Sequence, residues 1–553
     1  MAFPNVLSAT ARPASPRLIT LIPLTTLLAI APATLWAGPA DLDTGFATNG
    51  IDGSISGWNY IRTLALQGDG QWLVGGRRNV ASNDQECPSD WILFRRDANG
   101  GADSTFGGTG ALDLPVGTAC GTHETDSSLE RVVVQSDGKL LGVGYGLDAN
   151  HLQSVRLVRW NADGSLDTSF HGNGKAALSL GAPAYTSAVA LQKGGKVLVA
   201  GTLQGASPWQ VYVLRYTAGG AIDRSFATNG MFTVVGGGAT LAVQADGKIL
   251  VGIEAISSGS NNIPEIVRLT SAGQLDTTFG GSGVIALPIG TNVPSALAVQ
   301  PDGRIVGVVE PFGGTAAYVF RLLPDGSIDT SFNGQGWKAL GISNVNCMAL
   351  MPTGQVLIAG VLWDFTLNHD WLSLARLDST GAMDSTFTST NGDAGYVRTG
   401  QPLWCAQMQL LPDGRFAIAG MQNAPDWKQP TYTARFNGDT LDLQPDGVSF
   451  TPVTGAPLST YQMSNQVTVS GLTPGAKVPI QVTGGLYRVN ASPYTTAMGY
   501  VGNGDKIRLK HLSAATSGTQ VTTTITVGGL SSPESPFVVR GTTSSASFTS
   551  TTQ

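Results

Sequence analysis

The chain has 553 residues, of which 72 are glycine and only 13% are charged, with a formal net charge of −6. That weak acidity argues against nucleic-acid or anionic-membrane binding, which needs a basic face. Many glycines between short apolar segments exclude a helical bundle and point to an all-β chain.

Residues 1–37 read as a signal peptide. Arg12 and Arg17 precede an apolar stretch from Leu18 to Ala33, and Ala37-Gly38 suits cleavage, with no acidic residue before Asp41. The stretch is too short and too broken by Pro and Thr to span a membrane, which takes about 20 apolar residues. No later segment resembles a span. The expected location is extracellular or at the cell surface, with the periplasm as the alternative.

Residues 38–445 are built on one repeated mark. Leu42-Asp43-Thr44-Gly45-Phe46 recurs with its Asp at 103, 167, 223, 276, 329 and 384, and a decayed copy, Leu441-Asp442, lacks its Phe. The aspartates step by 60, 64, 56, 53, 53, 55 and 58 residues, so eight marks enclose seven units. The fifth unit shows the interior most cleanly: short strands at Gly283 to Leu287, Ser295 to Gln300, Arg304 to Val308 and Tyr318 to Leu322. Asp-Gly or related hairpins recur at Gly70, Gly138, Gly195, Gly247, Gly303, Gly354 and Gly414. Four short strands per unit with regular turns predict a seven-bladed β-propeller.

An arginine stands eight residues before the motif Asp in six units, as in Arg159/Asp167, Arg268/Asp276 and Arg321/Asp329, while Arg435 stands seven before Asp442. These pairs, with Phe170, Phe279 and Phe332, predict an ion pair or a pinned turn in each blade, which is architecture rather than chemistry. The first mark precedes any blade, so it either lends a strand to the last blade or caps the N-terminus.

The repeat resembles the delta-60 repeat family of bacterial exported proteins. Gln135-Ser136-Asp137-Gly138-Lys139-Leu140-Leu141 and Leu157-Val158-Arg159-Trp160-Asn161-Ala162-Asp163-Gly164-Ser165-Leu166-Asp167-Thr168-Ser169-Phe170 carry the likeness, which runs over about residues 41 to 443. The resemblance implies a propeller and an exported context, and no catalytic residue.

Four cysteines allow three disulfide connectivities. Pairing neighbours, Cys87 with Cys120 and Cys347 with Cys405, is preferred over four buried thiols.

Residues 446–541 shift to Thr, Ser, Val and Gly, and alternate in short strands such as Gln466 to Leu472 and Lys506 to Lys510. This predicts a small immunoglobulin-like β-sandwich, similar to modules appended to exported bacterial proteins. Residues 542–553, rich in Ser and Thr, read as a disordered tail.

The seven loops opposite the uniform hairpins vary, and several carry aromatics and amides. Trp209, Phe312, Trp363, Phe365, Asn368 and Trp427 are therefore the candidate binding residues. Ring faces beside Asn and Asp would suit a carbohydrate or protein ligand outside the cell. The histidines are scattered and no nucleophile elbow or phosphate loop occurs, so no catalytic residue is assigned. Turns such as Asp97-Ala98-Asn99-Gly100 distantly resemble calcium loops without the closing glutamate, and ordinary Asx turns explain them better. No cofactor is expected, with a structural calcium as the lesser alternative, and a monomer is expected. The reading is a binding or adhesion scaffold. The alternative is a secreted hydrolase or lyase acting on a polysaccharide or other polymer at the channel mouth, by carboxylates gathered from several blades.

Overall fold

The computed structural model describes residues 38–55, 59–79, 89–114, 127–205, 207–256, 262–290, 292–310, 316–364, 369–390, 395–422, 431–528 and 544–552. Among them, the chain up to Phe436 forms seven four-stranded antiparallel sheets. Asn59–Leu66, Trp72–Asn79, Ser89–Arg96 and Ala111–Leu114 make the first sheet, from innermost to outermost. The same meander repeats down to the sixth, which runs from Ser343–Leu350 to Tyr396–Arg398. The seventh combines Leu403–Leu410, Phe416–Gln422 and Thr431–Phe436 with Ile51–Asp52 from the other end of the chain. First strands of consecutive sheets touch, and that of the seventh meets that of the first, so the sheets close around one channel.

Burial explains the strand composition. The second strand Leu140–Leu147 is buried along its whole length because neighbouring sheets cover both its faces. Such a strand reads as a continuous apolar run rather than an alternating one. Glycine inside these strands has a steric reason. A Cβ at Gly144 would lie 2.0 Å from the Ser128 carbonyl oxygen, and one at Gly420 would lie 1.8 Å from that of Trp404. Both sit beside a register shift in the innermost strand, between Leu129 and Arg131 and between Cys405 and Gln407. The bulged strand needs the space that only glycine leaves.

The repeat unit is out of phase with the sheet, which corrects the reading of a blade from one motif to the next. Val284–Ala286, expected to open the fifth unit, is the outermost strand of the fourth sheet and pairs with Ile263–Leu269. The fifth sheet begins at Ala296–Val299. Sequence spacing sets a period and leaves its phase open. The motif therefore turns the chain within a sheet, between its third and outermost strands.

At that turn the arginine of each of the first six corners joins four groups. Arg268 donates from Nε to Asp276 at 2.8 Å, from Nη2 to Thr278 at 3.0 Å, and from Nη1 to the Pro324 carbonyl of the next sheet at 2.5 Å. Its guanidinium lies 4.4 Å above the Phe279 ring centre. The same set holds at Arg159–Asp167–Phe170 and Arg321–Asp329–Phe332. At five corners a lysine or arginine from the Gly hairpin adds a second cation, as with Lys139 on Asp167 and Lys248 on Asp276. Phe279 reaches the next sheet's turn, where a Cβ on Gly326 (φ +93°) would lie 2.6 Å from the ring. Glycine there satisfies both the left-handed backbone and the ring. Each corner thus ties its own sheet to the next.

The seventh corner departs from expectation. Arg435 does not use Asp442 but donates to Asp43 at 2.7 Å and lies 4.7 Å above Phe46. Asp442 instead accepts, through its carbonyl, the Thr473 amide. The first mark therefore completes the last sheet, and Ile51 pairs with Ala434 beside it.

Burial works to raise the pKa of these carboxyls, but hydrogen bonds from the flanking hydroxyl and the cations outweigh it, holding Asp276 at about 2. Asp43, Asp103, Asp167, Asp223, Asp329 and Asp384 are also lowered. A depressed folded pKa stabilises above the unfolded value, about 3.9, and that stability is lost as pH falls through the folded value. The thermal midpoint is expected to hold from neutral pH to about 4, then fall between about 4 and 2 as these groups protonate. Melts across that range would show it, and a midpoint that rises on acidification would refute it.

Cys347 and Cys405 form a disulfide between the first strands of the sixth and seventh sheets, with Cα atoms 6.1 Å apart. Cys87 and Cys120 lie outside the described residues. Cys347→Ala/Cys405→Ala is expected to lose about 2–4 kcal/mol, read as a lower denaturant midpoint. An unchanged midpoint would make the link dispensable.

The C-terminal segment forms two facing sheets. One orders Val453–Ala456, Ser544–Thr552, Gln520–Val527, Val478–Thr483 and Gly499–Val501. The other gathers Tyr461–Met463, Val467–Thr468 and Leu486–Val489 on Lys506–Leu512. Ile480, Ile507, Leu509, Ile525 and Phe548 are buried in one cluster. The expected disordered tail at 542–553 is corrected here. Ser544–Thr552 pairs along Gln520–Val527 and buries Phe548 and Ser550. Its Ser/Thr content hid an alternation of inward and outward positions. The segment packs on the hairpin side of the ring, where Lys477 donates its amide to the Pro352 carbonyl at 3.0 Å.

Candidate binding face

In each four-stranded meander the Gly hairpin and the motif turn share one end. The loop from second to third strand and the link to the next sheet share the other. The C-terminal segment touches the hairpin end at Pro352, so the variable-loop end is the candidate ligand face.

The best described part of that face lies between the third and fourth sheets. Trp209 precedes the third strand Gln210–Tyr216, and its carbonyl accepts the Gly236 amide at 3.0 Å, which fixes its backbone on the outermost strand. Its side chain is 48% exposed, and the neighbouring Val235, Ile256 and Ile263 are also exposed. Gly237 brings the two sheets close. A Cβ there would lie 3.8 Å from both the Trp209 ring and a Glu254 carboxylate oxygen. Asn262 donates its side-chain amide to Glu254 at 2.5 Å. An aromatic ring, a carboxylate and an amide thus border a small apolar rim, with the Glu265 carboxyl, raised by burial, on the same strand as Ile263.

Of the six candidate binding residues, only Trp209 has a described side chain. Trp363 lies within the strand Val356–Asp364, its backbone opposite Asp370, and nothing further of it is described. Phe312, Phe365, Asn368 and Trp427 lie outside the described residues. The variable loop from Glu254 to Glu265, with its amide Asn262, is legible in the sequence, but the exposed Val235, Ile256 and Ile263 carry no motif, and which loop faces Trp209 is set by the adjoining sheet.

The channel, of about 540 Å³, is walled by the first strands of all seven sheets. Arg131 is the charged side chain among its lining residues, with Asn346, Gln407 and Gln409 as the amides. Arg131 donates to the Arg62 and Glu130 carbonyls. Among the described lining residues no two carboxylates come together. Among the described residues, no group of three or more His, Cys, Asp or Glu side chains is arranged to hold a metal ion. Asp97 accepts the Asn99 and Gly101 amides through Oδ1, an Asx turn with its carboxylate engaged locally. His511 is buried between the two C-terminal sheets, on Thr523 and Ser550, and burial lowers its pKa.

The repeated four-stranded sheets define a β-propeller repeat protein. The family model described as "Domain of unknown function (DUF5122) beta-propeller" matches residues 135–170, 192–226, 244–279 and 300–332. Each matched segment ends on a motif Phe: 170, 226, 279 or 332. Comparison with curated proteins finds no match. Among solved structures, the chain is similar to the β-propeller domain of the Trilobed protease from Pyrococcus furiosus (9% identity, TM-score 0.38, covering 69% of this chain and 96% of that one). It is also similar to a protein of unknown function from Dyadobacter fermentans (13%, 0.37, covering 70% and 100%). A third is Chaetomium thermophilum Sqt1, bound there to the N-terminus of ribosomal protein L10 (12%, 0.36, covering 66% and 84%).

Proposed function

We propose that the chain is an exported, seven-bladed propeller of the delta-60 repeat kind with an immunoglobulin-like module, and that it binds a carbohydrate on its variable-loop face. The observation that carries this is the exposed Trp209 ring beside Glu254 and Asn262. An indole face packs on the apolar face of a sugar, while a carboxylate and an amide take its hydroxyls, the mix of rigid aromatic and adaptable polar groups typical of binding sites. The disulfide between sheets supports an oxidising destination. The polymer-cleaving alternative needs converging carboxylates; the described channel wall carries Arg131 with the amides Asn346, Gln407 and Gln409.

Glycan-array binding by the chain is the test. Trp209→Ala is expected to weaken the best ligand by about tenfold or more, roughly 1.4 kcal/mol, without moving the thermal midpoint. Undiminished binding by that variant would remove Trp209 and its neighbours from the site.

A further inference from the structure

A second surface, on the C-terminal module, carries a charge opposite to that of the chain. Residues 446–553 hold six Lys or Arg and three Asp or Glu, a net +3 in a chain of net −6. Much of that charge lies on one sheet face. In Lys506–Leu512, Ile507, Leu509 and His511 point inward and are buried, so Lys506, Arg508, Lys510 and Leu512 point outward. Arg488 lies directly opposite Arg508 on the adjoining strand. None of these four cations has a carboxylate within ion-pair distance among the described residues. Like charges facing each other across a ladder destabilise a sheet, so this pairing is not explained by stability.

Tyrosines frame the cations. The Lys510 ammonium lies 4.0 Å from the Tyr461 ring centre, and the Arg488 guanidinium lies 5.2 Å from that of Tyr494. Tyr461, Met463 and Leu512 are 61%, 54% and 50% exposed. The face is aromatic, with cations at alternate residues, ~6.8 Å apart along the strand.

We propose that this face binds an acidic polysaccharide, a polymer bearing a carboxylate on its sugars. Periodic cations along a strand match periodic anions along an extended polymer. Arginine forks pair with carboxylates in bidentate geometry, and tyrosine rings accept sugar faces. The module would then hold the protein on an anionic matrix while the propeller's loop face stays free. The proposal is independent of the Trp209 site.

The test is affinity electrophoresis of the full chain through gels containing polygalacturonate, with dextran gels and phosphatidylglycerol/phosphatidylcholine vesicles in parallel. Retardation by polygalacturonate, weakening as NaCl rises and absent in dextran, is expected. Arg488→Gln/Arg508→Gln/Lys510→Gln should lose about tenfold or more of the affinity with a thermal midpoint no lower than that of the native chain, and Trp209→Ala should lose none. No retardation of the native chain, equal retardation of the triple variant, or binding to vesicles without binding to polygalacturonate would each overturn the proposal.

Discussion

Deleting residues 38–52 is expected to prevent the ring from closing. The segment supplies the outermost strand of the seventh sheet, Ile51–Asp52 against Thr431–Phe436. Two buried arginines depend on it. Arg435 donates to Asp43 at 2.7 Å, and Arg96 of the first sheet donates to Asp52 at 2.8 Å. Losing both carboxylates leaves two buried cations without partners, each costing about 3–5 kcal/mol. The sum rivals the whole stability of an ordinary domain, about 5–15 kcal/mol. The newly bared strand would also template association. The truncated chain should therefore elute as aggregate and show no cooperative melt of the ring. Asp43→Asn is the milder form. It keeps the strand, leaves Arg435 and Arg415 facing a neutral amide, and should lower the midpoint without aggregation. A truncated chain that stays monomeric and melts like the full one would sink this account of closure.

Arg268→Met is expected to cost about 3–5 kcal/mol. Arg268 is 5% exposed in its side chain and serves four partners: Asp276, Thr278, the Pro324 carbonyl of the next sheet and the Phe279 ring. Methionine fills the volume but strands Asp276, whose remaining cation is the part-exposed Lys248 at 3.2 Å. Arg268→Lys should recover little, because an ammonium cannot span Asp276 and Pro324 together. Arg268→Met/Asp276→Leu should recover part of the loss, since removing a whole buried pair costs less than breaking it. Calorimetric midpoints for the four proteins would decide it. A loss under about 1 kcal/mol in the single variant would mean that the corner is not a tie between sheets.

Much of this was legible in the sequence because it is local. The Asp-x-x-Phe mark, the arginine eight residues earlier and the hairpin glycine act over one turn or one ladder pair, so their spacing survives as a pattern. The glycines opposite the bulged first strands were present in the repeat but unexplained until the carbonyls of Ser128 and Trp404 were seen against them. The candidate face was legible as separate loops, Trp209 in one and Asn262 in another, but not as one site. Glu254 and Asn262 come from the next sheet, and nothing in a linear chain says which loop ends meet.

By itself, the sequence determined the all-β class, the seven-fold period, the corner residues and the change of composition after residue 445. Each follows from short-range stereochemistry, in which turns, alternation and ladder partners lie within a few residues. Tertiary structure alone decided the phase of sheet against repeat, the choice of Asp43 over Asp442 for Arg435, and the strand at Ser544–Thr552. Those depend on partners hundreds of residues away or on burial by a facing sheet. A buried guanidinium takes the carboxylate that ring closure brings to it, not the nearest one along the chain.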